Sequence, residues 1–189
     1  MRTESERLKL LLVESGTAVG GTERVVWELA TRLSPARWDV RVWLSPAPGV
    51  DEFAAALEAR GIPVARTAEV DSRWDWAGMW RTWRRLGREQ PDLLHVHHVW
   101  PAADRYLAVL AGAAGVPHVV VTEHIEGHSH SAAQGRLKAR ELERADAVTA
   151  VSSAVAESLV RDYGVERARV RVVPNGAEPP DEGGERPVV

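Results

Sequence analysis

The feature that most constrains this chain is a repeated alternation. Seven short apolar runs are separated by stretches with helical periodicity. The runs are Leu8–Val13, Asp39–Leu44, Pro63–Arg66, Leu93–Val96, His118–Thr122, Ala147–Val151 and Val170–Val173. Several are unbroken Val/Leu/Ala stretches, the pattern of parallel strands covered on both faces. Between them, Thr22–Leu33, Glu52–Arg60, Trp76–Arg88, Ala102–Ala114, Ala132–Arg144 and Ser153–Tyr163 read as helices. Gly61, Gly115 and Gly164 stand where helices should end, because glycine accepts the left-handed turn of a C-cap. Strand–helix alternation with short links predicts an α/β, Rossmann-like parallel sheet of about seven strands with right-handed crossovers.

Composition narrows the class. With 189 residues the chain has room for one domain. It has no cysteine, which removes disulfide frameworks and thiolate metal cages. A net charge of −3 gives no global attraction to nucleic acid. No early apolar stretch reaches the length of a secretory signal, and none approaches a spanning helix. The chain therefore reads as soluble and cytoplasmic. Its basic residues are almost all arginine, Lys9 and Lys138 being the only lysines. With abundant Ala and Val, that bias points to a bacterial source. The domain is read as residues 1–176. Residues 177–189 hold three prolines, two glycines and a net charge of −3, which is linker composition.

Three segments could carry chemistry. Gly16-Thr-Ala-Val-Gly20-Gly21-Thr22-Glu23 follows the first strand and opens a helix. Glycines let the backbone turn tightly, and a helix N-terminus offers free N–H groups to an anion or a sugar hydroxyl. Thr22 is the expected N-cap. The spacing is neither a dinucleotide fingerprint nor a P-loop, so a plain strand–helix turn fits equally well.

All seven histidines fall between 95 and 130. On a strand, His95 and His97 share a face and His98 takes the other. His97, His98 and His124 follow the C-terminal ends of two strands, the edge where open α/β sheets bind ligands. His124-Ile-Glu-Gly-His128 does not follow the H-E-x-x-H order, so no metal site is read there. His128 and His130 are placed in a loop. Ser152-Ser153 opens a helix that either serine could cap, the cap reading being favoured for Ser153, and Pro174-Asn175-Gly176 reads as a turn.

The third segment is Trp74–Arg88. On a helix, Trp76, Trp80 and Trp83 fall on one arc, and Arg81, Arg84, Arg85 and Arg88 on another. From Arg73 to Arg88, five arginines stand against Asp75, a net of +4. Trp beside Arg suits a helix lying on an anionic membrane. The favoured expectation is that the Trp arc packs on the sheet while the Arg arc meets water.

Five stretches, in order, resemble the N-terminal domain of the family-4 retaining glycosyltransferases of the GT-B fold. They are Gly20-Gly21-Thr22-Glu23 with Val25–Ala30, Pro91–His97, Val121-Thr122-Glu123-His124, Ala145–Val148 with Val151-Ser152, and Val173-Pro174-Asn175-Gly176. The family usually continues the last with Val-Asp, where this chain has Ala177-Glu178. The resemblance implies one half of a GT-B fold that holds the acceptor. It implies a nucleotide-sugar donor as co-substrate, with no cofactor and no metal. It also implies that residues 177–189 lead toward a second, donor-binding domain, and that the isolated chain is inactive. His124 would lie beside the transferred sugar. Gly20, Gly21 and Thr22 would approach the donor phosphates and the acceptor, His97 would line the acceptor cleft, and Ser152 and Asn175 would edge the interdomain cleft. Two other readings stand beside this one. The first is a non-catalytic module that binds a glycan, a lipid-linked acceptor or an anionic membrane, peripherally at its inner face, through the Trp and Arg arcs; the second is a histidine-cluster metal hydrolase.

Overall fold

A computed structural model describes residues 7–68, 70, 72–100, 103–104, 106–127 and 131–176. The expected linker at 177–189, the start of the expected helix at Ala102, and His128 and His130 lie outside those residues. The strands are β1 (Leu8–Glu14), β2 (Trp38–Leu44), β3 (Val64–Arg66), β4 (Leu93–His98), β5 (His118–Glu123), β6 (Ala147–Ala150) and β7 (Val170–Val172). The helices are α1 (Gly21–Arg32), α2 (Asp51–Ala59), α3 (Trp76–Glu89), α4 (Leu107–Ala113), α5 (Ala132–Arg144) and α6 (Ser153–Tyr163). One seven-stranded sheet forms in the order β3-β2-β1-β4-β5-β6-β7, and every pairing is parallel.

Strand alternation sorts the core into two faces. Leu10, Leu12, Val42 and Leu44 pack with Val26 and Ala30 of α1 and with Phe53 and Leu57 of α2. Leu11, Val13, Leu94, Val96, Val121 and Val148 pack on the other face, against Leu86 of α3, Leu107 and Ala111 of α4, Leu142 of α5 and Leu159 of α6. Each fully buried Leu or Val contributes about 1.5–3 kcal/mol relative to exposure. The helices therefore lie on both faces, as the pattern predicts.

Punctuation follows the sequence closely. Gly61, Gly115 and Gly164 adopt φ of 76°, 79° and 67°, and Gly164 is the C-cap of α6. Two aspartates of the resemblance motifs do structural work at the far edge of the sheet. Asp92 Oδ2 accepts from the Lys9 N–H at 2.9 Å, and Asp146 Oδ2 accepts from the Val119 N–H at 2.7 Å. Each satisfies the first free donor of a neighbouring strand.

Three local expectations are corrected. Gly20, not Thr22, is the N-cap of α1, because the Glu23 carboxylate reaches back to the Gly20 N–H at 2.7 Å. Ser152, not Ser153, caps α6, and its Oγ accepts from the Val155 N–H at 3.2 Å. The Trp arc of α3 does not cover the sheet. Gly78 and Leu86 form the buried line of that helix, while Trp76, Trp80 and Trp83 are 67%, 54% and 42% exposed. Beside that line, Glu89 accepts from Trp43 Nε1 of β2 at 3.1 Å and Arg85 stacks over the Trp43 ring, while Trp83 reaches α4 instead, its Nε1 donating to Ala113 O at 3.1 Å.

Candidate functional site

The strand order reverses between β1 and β4, and ligands of open α/β sheets bind in the crevice above such a switch. Glu14 and His97 are paired there in register. The glycine loop leaves β1 at this point and His98 ends β4. The sheet thus brings Gly20, Gly21 and Thr22 to the same edge as His97 and His124. Gly20 and Gly21 are exposed and Thr22 is half-buried. Glu23 takes the Gly20 N–H, but no N-cap side chain accepts from the N–H groups of the first turn of α1, which leaves them able to meet an anion. Ser152 and Asn175 stand at the same sheet edge, after β6 and β7; the Ser152 hydroxyl is engaged as a helix cap and Asn175 is exposed.

Beneath the loop lie two carboxyls that sequence reasoning passed over. Glu14 and Glu23 are 1% and 2% exposed. Glu14 Oε1 accepts from the Gly16 N–H, and Glu23 Oε2 holds Gly20. A Cβ at Gly16 would overlap oxygens of both carboxyls, so only glycine lets the backbone pass between them. Burial first, then the Glu23 charge, pushes the Glu14 carboxyl up to about 8. Asp104 adds to this, and the Gly16 hydrogen bond opposes it.

The histidines divide by face. His95 Nε2 meets Thr122 Oγ1 at 2.7 Å, and Thr122 meets Thr149 Oγ1 at 2.6 Å. The His95 and His97 rings lie 4.1 Å apart, and His97 Nδ1 is 3.1 Å from His124 Nε2. Burial lowers His95 and His124 to about 4 and pushes His97 well below its usual range; neighbouring imidazoles add to the shift. This row is therefore neutral at pH 7. A neutral His124 can donate to or accept from a hydroxyl and carries no positive charge.

His98, on the opposite face, belongs to a buried charge network rather than to the crevice. Its Nδ1 lies 2.7 Å from Glu123 Oε1, and its Nε2 lies 3.3 Å from Glu141 Oε1. Lys138 Nζ is 2.5 Å from Glu123 and 3.5 Å from Glu141. All four side chains are at most 2% exposed. Burial and Lys138 oppose the His98 charge, yet Glu141 and Glu123 raise it to about 9. Burial likewise opposes Glu123, but Lys138 and His98 lower it to about 2. The network pins α5 to the ends of β4 and β5, directly below His124. One signal was readable beforehand: Lys138 and Glu141 are one helical turn apart in a chain with only two lysines. Among the described residues, no group of three or more His, Asp or Glu is arranged to hold a metal ion.

Comparison with known proteins matches these features to a family. The profile of Glycosyltransferase Family 4 matches residues 19–179. A search of curated protein sequences returned no significant match. Among solved structures, a glycosyltransferase from Rickettsia africae ESF-5 superposes with a TM-score of 0.68 at 16% identity, over 89% of this chain and 43% of that one. The lipopolysaccharide outer core galactosyltransferase WaaB gives 0.56 at 15% identity, over 94% and 50%. A UDP-GlcNAc 2-epimerase from Methanocaldococcus jannaschii gives 0.56 at 15% identity, over 89% and 46%. The chain thus spans half or less of these structures, and shares with them a half of the GT-B fold. Fold alone does not separate sugar transfer from epimerisation. The family profile, which covers most of the sequence, makes that distinction: this chain is an N-terminal domain of glycosyltransferase family 4.

Proposed function

We propose that this chain is the acceptor-side half of a nucleotide-sugar-dependent retaining glycosyltransferase. The observation that carries the reading is the placement of an uncapped helix N-terminus and a neutral His97–His124 pair at one switch-point crevice. The first N–H groups of α1, beside Gly20, Gly21 and Thr22, meet an anionic oxygen of the donor or acceptor. His124, held by His97, hydrogen-bonds a hydroxyl of the transferred sugar. Neither residue replaces the cationic groups that a diphosphate leaving group requires, and stabilising that developing charge is the largest catalytic effect. A second domain supplies them, and the 189-residue chain alone transfers no sugar. The test is a transfer assay with radiolabelled nucleotide sugars. No turnover is expected from this chain alone. Joined to a donor-binding half, the wild type is active and His124→Ala loses at least ~100-fold, the scale of one lost transition-state contact. Turnover by the isolated chain, or full activity of His124→Ala, refutes the reading.

The exposed face of α3 favours a second, compatible reading: the domain docks on an anionic membrane. Trp74, Trp76, Trp80 and Trp83 are all at least 42% exposed. Arg84 stacks over Trp80 at 4.8 Å, and among the described residues Arg85 is the one arginine of the Arg81–Arg88 set that pairs with an acid, Glu89 at 3.0 Å. That leaves Arg81, Arg84 and Arg88 to face phosphate headgroups, each contributing about 1 kcal/mol near an anionic surface. No helix among the described residues is long and apolar enough to cross a membrane, so contact would be peripheral. Flotation with phosphatidylglycerol vesicles at low salt should carry the chain upward, and Arg81→Glu/Arg84→Glu should abolish it. Failure of the wild type to float refutes the docking.

A further inference from the structure

Glu14 and Glu23 are an unusual pair to find under a loop that meets anions. Both are buried, and each accepts one backbone N–H from opposite ends of the Gly16–Gly20 loop. Glu14 Oε1 and Glu23 Oε1 both border the space that a Gly16 Cβ would fill, so the two buried carboxyls stand side by side, and one proton held between them relieves their repulsion. Glu14 Oε2 is buried and receives no hydrogen bond, so a charge on Glu14 would be supported at one oxygen only.

We infer that Glu14 and Glu23 are positioning residues that hold the glycine loop through one shared proton, and that the loop accepts an oxyanion only while that proton is present. The inference rests on the reading that Gly20–Thr22 meet an anionic group. With the proton in place, the pair carries at most one negative charge and its hydrogen bonds close the loop. Without it, two adjacent carboxylates repel each other and place a second negative charge beneath the anion site. The charged groups acting on Glu14 are Glu23 from α1 and Asp104 from the segment before α4. The charges of His98, Glu141 and Lys138 act on Asp104 in turn. His97, paired with Glu14 on β4, is neutral. Among these contacts no cation reaches Glu14 to replace the proton. Glu14 is held near 8, so the change falls between pH 7 and 9.

Sulfate is a suitable probe because its charge is constant over that range. Amide NMR of the full chain would follow Gly16, Gly20, Gly21 and Thr22 at pH 7 and pH 9, with and without sulfate. In the wild type, Gly16 and Gly20 should titrate together with a midpoint near 8. Sulfate should shift Gly21 and Thr22 at pH 7 and bind about tenfold more weakly at pH 9, the effect of one added charge at roughly 10 Å. In Glu14→Gln, whose amide keeps the hydrogen bonds and cannot ionise, both effects should vanish. That variant also separates Glu14 from His98, which titrates near 9. Glu23→Gln provides the same comparison from the other side of the pair. Equal sulfate affinity at both pH values in the wild type overturns the inference and leaves the anion reading standing. So does the same weakening in wild type and Glu14→Gln. Sulfate that moves neither Gly21 nor Thr22 at pH 7 overturns the anion reading itself, and the inference with it.

Discussion

Lys138→Met probes the buried network beneath His124. The ammonium is 2% exposed and sits 2.5 Å from Glu123 and 3.5 Å from Glu141. Methionine nearly conserves the volume, so the cost is electrostatic rather than a cavity. Two buried carboxylates would then face one imidazolium. Glu123 is lowered from 4.5 to about 2, chiefly by Lys138 and then His98. That shift corresponds to about 3 kcal/mol. Removing one partner of a buried ion pair costs about 3–5 kcal/mol, in agreement. In a domain of this size the loss should lower Tm by roughly 10 °C.

The pH dependence has a definite sign. In the wild type, the depressed Glu123 contributes stability above pH 4.5 and loses it as pH falls toward 2. In the variant, an unmatched carboxyl is raised instead, so its penalty is absent below 4.5 and grows above it. The gap between wild type and variant should therefore be widest near pH 7 and shrink toward pH 4.5. Urea denaturation followed by circular dichroism at both pH values measures it. Adding Glu141→Gln to Lys138→Met should recover part of the loss, since one unmatched charge is removed. A loss below about 1 kcal/mol at pH 7, or an equal gap at both pH values, would refute the reasoning.

Three further outcomes follow from the same structure. Glu14 is raised to about 8, so wild-type stability should fall as pH rises from 4.5 through 8; Glu14→Gln should flatten that decline and be more stable by up to about 5 kcal/mol at pH 8.5, read from denaturant midpoints. Imidazole NMR should give midpoints near 4 for His95 and His124 while His98 stays cationic to about pH 9, and a titration of His124 above pH 6 would contradict its neutral role. Gly164→Ala should cost about 1 kcal/mol, because an added Cβ meets no atom within 4 Å but the φ of 67° is strained for alanine.

Much of the site was legible because it is local. A glycine loop after a strand marks a helix N-terminus, and the sequence reading put His97 and His124 just past two strand ends; in the sheet β4 runs on through His97 to His98, and His124 directly follows β5. The tryptophans of α3 were misplaced for the opposite reason. Their arc was visible in the periodicity, but which arc turns inward depends on how the helix crosses the sheet. Glu23 was noticed as part of a motif without a role, since its work is to hold Gly20 and face Glu14 across a turn.

By itself, the sequence determined the class of fold: seven apolar runs, helical spacing between them and glycines at helix ends leave little but a parallel sheet with right-handed crossovers. These are properties of neighbouring residues, and local periodicity reports them directly. The tertiary structure decided which charges became buried partners. Glu14 with Glu23, and His98 with Glu123, Lys138 and Glu141, join residues between three and forty-three positions apart; the turn from β1 into α1 sets the first pair, and the register of β4 on β5 with the docking of α5 sets the rest. Burial then changed their protonation, which no pattern of residues along the chain displays.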